Sequence, residues 1–207
     1  LSGLRLDVRD GQLTVTGTDL ELTIRLSIPV HSDQDGSAVV PARLVADIVK
    51  ALPAGAVEVS VDDDEMSISA GRSQFSVRPL SLSDYPAQVE PDAEPVTLAS
   101  SQVGDALRQV VRAASTDDAR AVLTGVLMAS EDDGLKMVAT DSYRLAVRDL
   151  PQTTMLGAGQ KVLVPGRALA ELQRVLSSDA ELIVRLGARE AVFEVGGTRL
   201  TTRLIEG

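Results

Sequence analysis

The segment that decides the fold is Gly71-Arg-Ser-Gln-Phe-Ser-Val-Arg-Pro-Leu80, because the chain repeats it as Gly196-Gly-Thr-Arg-Leu-Thr-Thr-Arg-Leu-Ile205. The two stretches keep glycine, hydroxyl, apolar and arginine positions in register. Outside them, Val39-Val-Pro-Ala-Arg43 returns as Leu163-Val-Pro-Gly-Arg167 at nearly the same offset. The sequence therefore predicts two copies of one domain in line, an arrangement that suits enclosing or arraying better than catalysis in a single cleft.

The spacing of apolar residues gives both copies the same order of elements. Three strands lead into a short strand, a helix and three further strands. The predicted helices are residues 43–52, 103–114 and 167–176. The predicted strands are residues 4–8, 13–16, 22–30, 57–61, 65–70 and 74–79 in the first copy, and 96–99, 125–130, 135–139, 144–150, 161–164, 182–186, 191–195 and 199–204 in the second. The fold class is α+β, with each domain a pair of strand-helix-three-strand units.

The proline-rich, acidic run 83–95 has no periodicity and reads as an extended linker. It divides the chain into a first domain at residues 1–88, a linker at 89–95 and a second domain at 96–207. The first domain has no counterpart of residues 96–124, so we expect an opening strand and helix upstream of it. We also expect the second domain to continue beyond Gly207, and the chain contains no third copy.

The formal charge of −10 argues against a nucleic-acid partner until the charges are located. The three predicted helices carry six basic and three acidic residues, so they sum to +3 and the rest of the chain to −13. Spacings of seven, four and seven place each basic pair on one helical face. The six residues are Arg43, Lys50, Arg108, Arg112, Arg167 and Arg174. The chain is therefore acidic overall, with a basic stripe along each predicted helix. A helix face that is only exposed to solvent would show the same pattern.

Little in the sequence favours an enzyme. There is no cysteine, and His31, the one histidine, lies in a polar loop. The acidic cluster at residues 62–65 lacks the alternate spacing of a calcium loop and reads as a hairpin turn. No phosphate-binding glycine motif or nucleophile elbow occurs, and no apolar stretch approaches the roughly 20 residues needed to span a bilayer. We therefore expect no catalytic residue, no metal site and no cofactor.

One segment, Val138-Ala-Thr-Asp-Ser-Tyr-Arg-Leu-Ala-Val147, resembles the bacterial sliding clamp family, the beta subunit of DNA polymerase III. The duplication and the closing Thr201-Thr-Arg-Leu-Ile-Glu-Gly207 share the resemblance, which covers essentially the whole chain. It implies a clamp fold of three such domains per protomer, with helices on an inner concave face and antiparallel sheets outside. Two protomers would close into a homodimeric ring that slides on double-stranded DNA without reading its sequence. The third domain would be absent here.

The same resemblance implies partners and sites. The six basic residues would face the DNA, and a pocket on the second domain would bind short linear peptides. Those peptides would come from the replicative polymerase catalytic subunit, the clamp loader and repair polymerases, in a cytoplasmic, nucleoid-associated protein. The matching pocket residues are Leu123, Thr140, Asp141, Ser142, Tyr143, Arg144 and Leu145. The family commonly has glycine at the position of Ser142 and often histidine at that of Tyr143, so the pocket mouth is expected to differ in shape.

The first copy helps to separate structural from functional residues. Its Thr18-Asp19 matches Thr140-Asp141, but no arginine matches Arg144. We therefore expect the shared Thr-Asp to bond to local backbone in a turn, and Arg144 and Tyr143 to serve the pocket. The alternative to a clamp is a clamp-like paralogue or a beta-rich peptide-binding module that does not encircle DNA.

Overall fold

The computed structural model describes residues 2–62, 64–87, 93–131, 134–177 and 179–206. It divides into two compact units, Leu1–Gln88 and Val89–Gly207. Asp63 of the predicted acidic turn and residues 89–92 of the predicted linker lie outside the described residues.

The described residues of unit 1 form seven strands and one helix. In chain order these are β1 Gly3–Arg9, β2 Gln12–Thr18, β3 Leu22–Pro29, β4 Gly36–Pro41, α1 Ala42–Ala51, β5 Glu58–Val61, β6 Met66–Ala70 and β7 Ser73–Val77. One sheet has the order β4-β1-β2-β3, and a second has the order β5-β6-β7. Its apolar core includes Val40, Ile48, Met66 and Ile68, which α1 and both sheets contribute.

In the part of unit 2 that the structure describes there are eight strands, two α-helices and two short 3-10 segments. In chain order these are β8 Val96–Ala99, α2 Ser100–Val110, the 3-10 segments Val111–Ala113 and Asp118–Thr124, β9 Gly125–Glu131, β10 Gly134–Thr140, β11 Leu145–Pro151, β12 Lys161–Pro165, α3 Gly166–Val175, β13 Glu181–Leu186, β14 Glu190–Val195 and β15 Thr198–Arg203. Within this unit the strands run β11-β10-β9-β12 in one sheet and β15-β14-β13-β8 in the other.

The duplication extends to the pairing of individual residues. Arg5 of β1 lies opposite Thr16 and Val39, and Leu127 of β9 lies opposite Val138 and Leu163. The order β4-β1-β2-β3 in unit 1 is therefore the order β12-β9-β10-β11 in unit 2. Both sheets are antiparallel, and the helices α1 and α3 each follow a proline at the end of a strand. The predicted α+β class and the strand-helix-three-strand repeat are confirmed.

Two features of unit 2 differ from the sequence prediction. The second helix begins at Ser100, three residues earlier than predicted, because Ser100 and Gly104 are small residues buried on a face that apolar spacing does not reveal. It also tightens into the 3-10 segment Val111–Ala113, so Arg112 lies outside the regular helix. Such tightening is common where a helix runs out of intrahelical partners.

The proline-rich run 83–95 begins on unit 1 and not as an extended segment. Tyr85 is only 8% exposed, and its hydroxyl donates a hydrogen bond to the carbonyl of Thr16 at 2.8 Å. Residues 80–85 are tied further by the Leu80 N–H, which donates to the carbonyl of Val39 at 2.7 Å. The buried aromatic ring therefore holds this segment onto unit 1, although the run 83–95 to which Tyr85 belongs has the composition of a linker.

Candidate peptide pocket and basic helix faces

The predicted pocket residues centre on the turn between β10 and β11. Ser142 N–H donates to Thr140 Oγ1 at 3.2 Å, and the N–H groups of Tyr143 and Arg144 both donate to Asp141 Oδ1 at 3.0 Å. Thr140 Oγ1 in turn donates to the carbonyl of Arg144 at 2.7 Å. Since side-chain oxygens of Thr and Asp satisfy three backbone N–H groups, the Thr-Asp pair builds this turn.

The matching turn of unit 1 has the same construction. Leu20 N–H donates to Thr18 Oγ1 at 3.1 Å, and Leu22 N–H donates to Asp19 Oδ1 at 2.8 Å. Leu20 and Ser142 even share a left-handed backbone, with φ of 80° and 79°. Because unit 1 lacks a match for Arg144, the turn bonding that we predicted is independent of any pocket.

Arg144 is held by its own turn. Its Nε donates to Asp141 Oδ2 at 3.0 Å. The backbone N–H of Tyr143, then that of Arg144 and the Arg144 guanidinium, keep the pKa of Asp141 below its ordinary value. Tyr143 is 93% exposed and Leu145 66% exposed, which makes this turn a protruding, partly apolar surface.

A pocket of about 600 Å³ lies beside this turn, entirely within unit 2. Its walls come from β9, β10, β12, the segment before β9 and the residues that follow β15. The lining residues are Val122, Leu123, Gly125, Leu127, Val138, Ala139, Thr140, Lys161, Val162, Leu163, Ala188, Arg189, Leu204, Ile205 and Glu206. Its size suits a ligand group, and an apolar floor with a few polar groups is usual for binding sites.

Only two of the seven predicted residues, Leu123 and Thr140, line this pocket. The other five lie in the adjoining turn and at the start of β11. Sequence reasoning missed Val138 and Leu163, which meet Leu127 from the two neighbouring strands. Alternation could have located Val138, which lies between buried residues along β10, but Leu163 follows the half-buried Val162 and carries no such signal.

A side-chain contact joins the turn to the pocket wall. Arg120 lies in the 3-10 segment Asp118–Thr124, which supplies Val122 and Leu123 to the pocket. The Arg120 guanidinium donates to Ser142 Oγ at 3.1 Å. Ser142 is therefore linked through Arg120 to the segment that lines the pocket, although neither residue lines the pocket itself.

The floor of the pocket requires a glycine. A methyl group at Gly125 would lie 2.7 Å from Leu163 Cγ and 2.9 Å from Ile205 Cδ1. Gly3, its counterpart in unit 1, has the same environment, with Val39 at 2.8 Å and Leu80 at 3.4 Å. The two glycines thus mark equivalent places in the two units.

All six predicted DNA-facing residues are exposed. On α1 the buried residues are Val45 and Ile48, and Arg43 and Lys50 project from the opposite side of the helix. On α3 the buried face includes Leu169 and Leu172, and the arginines again lie on the other side. The basic pairs are therefore on the solvent side of helices whose apolar faces pack into the cores.

Two of these arginines are already paired. Arg174 donates to both carboxylate oxygens of Glu171, at 2.9 and 3.0 Å, and Arg108 pairs with Asp105 one turn upstream. Among the described residues, no carboxylate lies within ion-pair distance of Arg43, Lys50 or Arg112. Exposed pairs of this kind contribute little to stability, so a phosphate could replace the carboxylate at small cost.

Two family models match the chain, one for each unit. The model of the DNA polymerase III beta subunit N-terminal domain matches residues 1–89, and that of the central domain matches residues 97–207. The chain belongs to the DNA polymerase III beta subunit family. The two matched domains of this family coincide with the two repeats found in the sequence.

Relatives named beta sliding clamp match the whole chain. That of Streptomyces coelicolor is 36% identical over 215 residues, and that of Staphylococcus aureus is 34% identical over 219 residues. The chain spans 57% and 58% of their lengths. Within the described parts of the chain, no helix is long and apolar enough to cross a membrane.

Solved members of the family have the same fold. The DNA polymerase III subunit beta of Pseudomonas aeruginosa is 31% identical, with a TM-score of 0.92. A sliding clamp from the same organism, bound to griselimycin, is 30% identical, with a TM-score of 0.93. Each alignment covers 100% of this chain and 58% or 57% of the solved one. The clamp fold predicted from the resemblance is confirmed.

Proposed function

We propose that the chain provides two domains of a sliding clamp, a processivity factor that encircles double-stranded DNA and tethers a DNA polymerase to it. The observation that carries this proposal is the match of two different clamp domain models to the two repeats, in the family's order. The first domain would comprise residues 1–88, the linker 89–95 and the second domain 96–207. The protein would act as a noncatalytic accessory subunit in the bacterial cytoplasm.

The basic helix faces would provide the DNA-facing lining. Arg43, Lys50 and Arg112 would attract phosphates directly, and Arg108 and Arg174 would exchange their carboxylates for phosphates. Arg167 would add a sixth charge. Contacts to phosphates alone carry no sequence information, so a lining of this kind permits sliding. The excess of acidic residues elsewhere would discourage DNA from binding to other surfaces.

The pocket beside Leu123 and Thr140 would tether partners through short linear peptides. A solved sliding clamp that is similar to this chain is bound to griselimycin, which supports a ligand site within the family. Leu123 would supply apolar wall, and Thr140 and Asp141 would fix the turn that bears Tyr143 and Leu145. Arg144 and Ser142 would shape the rim. Partners of this class would be the polymerase catalytic subunit, the clamp loader and repair polymerases, bound to a homodimeric ring.

The decisive experiment compares circular and linear DNA. A protein of the relatives' length that carries this chain is loaded onto nicked circular DNA, and half of the sample is linearised. We expect retention on the circle and loss from the free ends, because a closed ring can only leave over an end. Equal retention on both would contradict the ring and favour a peptide-binding module.

The two surfaces can be separated by paired substitutions in that protein. Arg167→Glu with Arg174→Glu should reduce DNA retention roughly tenfold or more and leave griselimycin binding unchanged. Arg144→Ala with Leu145→Ala should weaken griselimycin binding and spare retention on circular DNA. Unchanged griselimycin affinity in the second variant would show that the turn does not contribute to the pocket.

A further inference from the structure

The segment Asp118–Thr124, which supplies Val122 and Leu123 to the pocket, is held by little apolar packing. All seven of its described residues are at least partly exposed to solvent. One hydrogen bond closes it from behind, because the Ser115 N–H donates to the carbonyl of Leu123 at 2.8 Å. Since apolar burial contributes most to fixing a segment, the position of this one depends on polar contacts.

Arg120 stands at a kink in this segment. Its backbone, with φ of −120° and ψ of 64°, leaves the helical region and divides the segment in two. Before the kink, Asp117 Oδ1 accepts a hydrogen bond from the Ala119 N–H at 3.1 Å. The part beyond the kink carries Val122 and Leu123. The direction in which the pocket wall runs is therefore set at Arg120.

The Arg120 side chain connects this kink to the turn between β10 and β11. Its Nη1 donates to Ser142 Oγ at 3.1 Å, and its Nε donates to Asp117 Oδ2 at 3.4 Å. The turn is a fixed point, because the side chains of Thr140 and Asp141 accept three of its backbone N–H groups. One guanidinium thus ties the wall segment to a turn that lies 22 positions further along the chain.

The Ser142 hydroxyl is not needed to build that turn. The backbone N–H of Ser142 donates to Thr140 Oγ1, whereas its hydroxyl faces Arg120. In unit 1 the same left-handed position is held by Leu20, which has no hydroxyl, and the Leu20 N–H still donates to Thr18 Oγ1 at 3.1 Å. The contact between Ser142 and Arg120 is therefore a separate feature of unit 2.

We propose that the contact between Arg120 and Ser142 is a latch, which holds Val122 and Leu123 in the position in which the pocket binds its ligand. Both are positioning residues that act through the wall segment. An exposed hydrogen bond corresponds to about a fivefold change in an equilibrium constant, so the latch opens readily. When it opens, the fraction of pockets that can bind falls, and affinity falls in proportion. This inference rests on the proposed peptide-binding role of the pocket and names the contact that regulates it.

Hydrogen exchange of the Ser115 amide tests the latch itself. That N–H is bonded to the carbonyl of Leu123, so it exchanges when the wall moves away. In the 207-residue chain, followed by NMR, Ser142→Ala should raise the exchange rate about fivefold. The double variant with Arg120→Ala should exchange no faster than Arg120→Ala alone, because both substitutions remove one contact. An unchanged rate in Ser142→Ala, or effects that multiply in the double variant, overturns the proposal.

Two further variants separate the latch from a general change in the turn. Ser142→Asn keeps an oxygen that can accept from Arg120 and suits a left-handed backbone, so it should restore the native Ser115 exchange rate. Leu20→Ala changes the counterpart position in unit 1 and should leave that rate unchanged. If Ser142→Asn exchanges as fast as Ser142→Ala, the acceptor oxygen is not what holds the wall, and the proposal is wrong.

Griselimycin binding tests whether the latch regulates the pocket. In a protein of the relatives' length that carries this chain, Ser142→Ala should weaken griselimycin affinity about threefold to fivefold, and Ser142→Asn should restore it. Unchanged affinity in Ser142→Ala overturns this inference and leaves the proposed function intact. Failure of the native protein to bind griselimycin counts against the proposed function, and the Ser115 exchange rates then decide whether the latch exists.

Discussion

Gly3 in unit 1 and Gly125 in unit 2 occupy equivalent places in their two sheets, but the side chains around them differ. In unit 1 the chain returns and covers Thr16 with Tyr85. In unit 2 the matching surface around Val138 borders a pocket of about 600 Å³. The strand register is alike in both, and the described residues of unit 2 include no counterpart of Tyr85.

The largest effect is expected from removing the side chain of Tyr85, which covers Thr16. Tyr85→Ala should destabilise unit 1 by about 3 kcal/mol, because it deletes a buried aromatic ring and opens a cavity. Amide hydrogen exchange in β1 and β2 reports the loss, with β9 and β10 of unit 2 as the internal reference. Tyr85→Phe, which removes only the hydroxyl, should cost about 1 kcal/mol. A cost below about 1 kcal/mol for Tyr85→Ala would mean that the ring does not fill this place.

The next largest effect should be a difference between the two units in how acid changes their stability. Partial burial by itself would raise the pKa of Asp7, but hydrogen bonds from Arg5 and Ser37 and the charge of Arg5 outweigh burial, so the pKa is lowered. A lowered folded-state pKa stabilises unit 1 fully above the unfolded value of about 3.9. That contribution is lost as the pH falls through the folded value.

Ala129 is the unit 2 counterpart of Asp7, so the Asp7 contribution belongs to unit 1 alone, and the acid sensitivity of unit 2 comes from Asp141, whose pKa is also lowered. Asp7→Asn should cost unit 1 about 1.5 kcal/mol at pH 7 and flatten its stability profile below pH 4. Denaturant unfolding at several pH values measures the cost and the pH profile, with amide hydrogen exchange monitored separately in each unit. An unchanged acid profile in Asp7→Asn would assign the sensitivity to another group.

The smallest effect concerns the two matching turns. Leu20 and Ser142 both adopt a left-handed backbone that costs a non-glycine residue about 1 kcal/mol. Leu20→Gly should therefore gain about 0.5 kcal/mol once the added freedom of the unfolded chain is subtracted. Ser142→Gly should gain less, because it also removes the contact with Arg120. Denaturant midpoints of the two variants measure this difference, and equal gains would show that the Arg120 contact contributes nothing.

The sequence predicted the fold better than the site, and the reason lies in the range of the interactions. Apolar alternation and Pro41 or Pro165 are local signals, so strands and two of the three helices ended within a few residues of their predicted bounds. The start of α2 carried no such signal, because Ser100 is buried by packing on distant residues. The pocket depends on register between strands, which brings Val138 and Leu163 together although neither is distinctive alone.

The burial of Tyr85 could not be predicted from the residues next to it in the sequence either. Its neighbours are proline, serine and aspartate, which favour extended chain, and only the contact with Thr16 shows that the ring is enclosed. Comparison of the two copies was informative for the Thr-Asp turns because both members lay within the chain. The counterpart of Tyr85 would fall beyond residue 207, so the duplication offered no second example.

Arg108 and Arg174 each hold a carboxylate on their own helix. If a DNA phosphate replaced such a carboxylate, one condensed cation would be released from the DNA. The freed carboxylate would then attract a cation from solution. Binding at those two positions would thus release few ions overall. The logarithm of DNA affinity should accordingly fall less steeply with the logarithm of salt concentration than six cationic side chains would suggest.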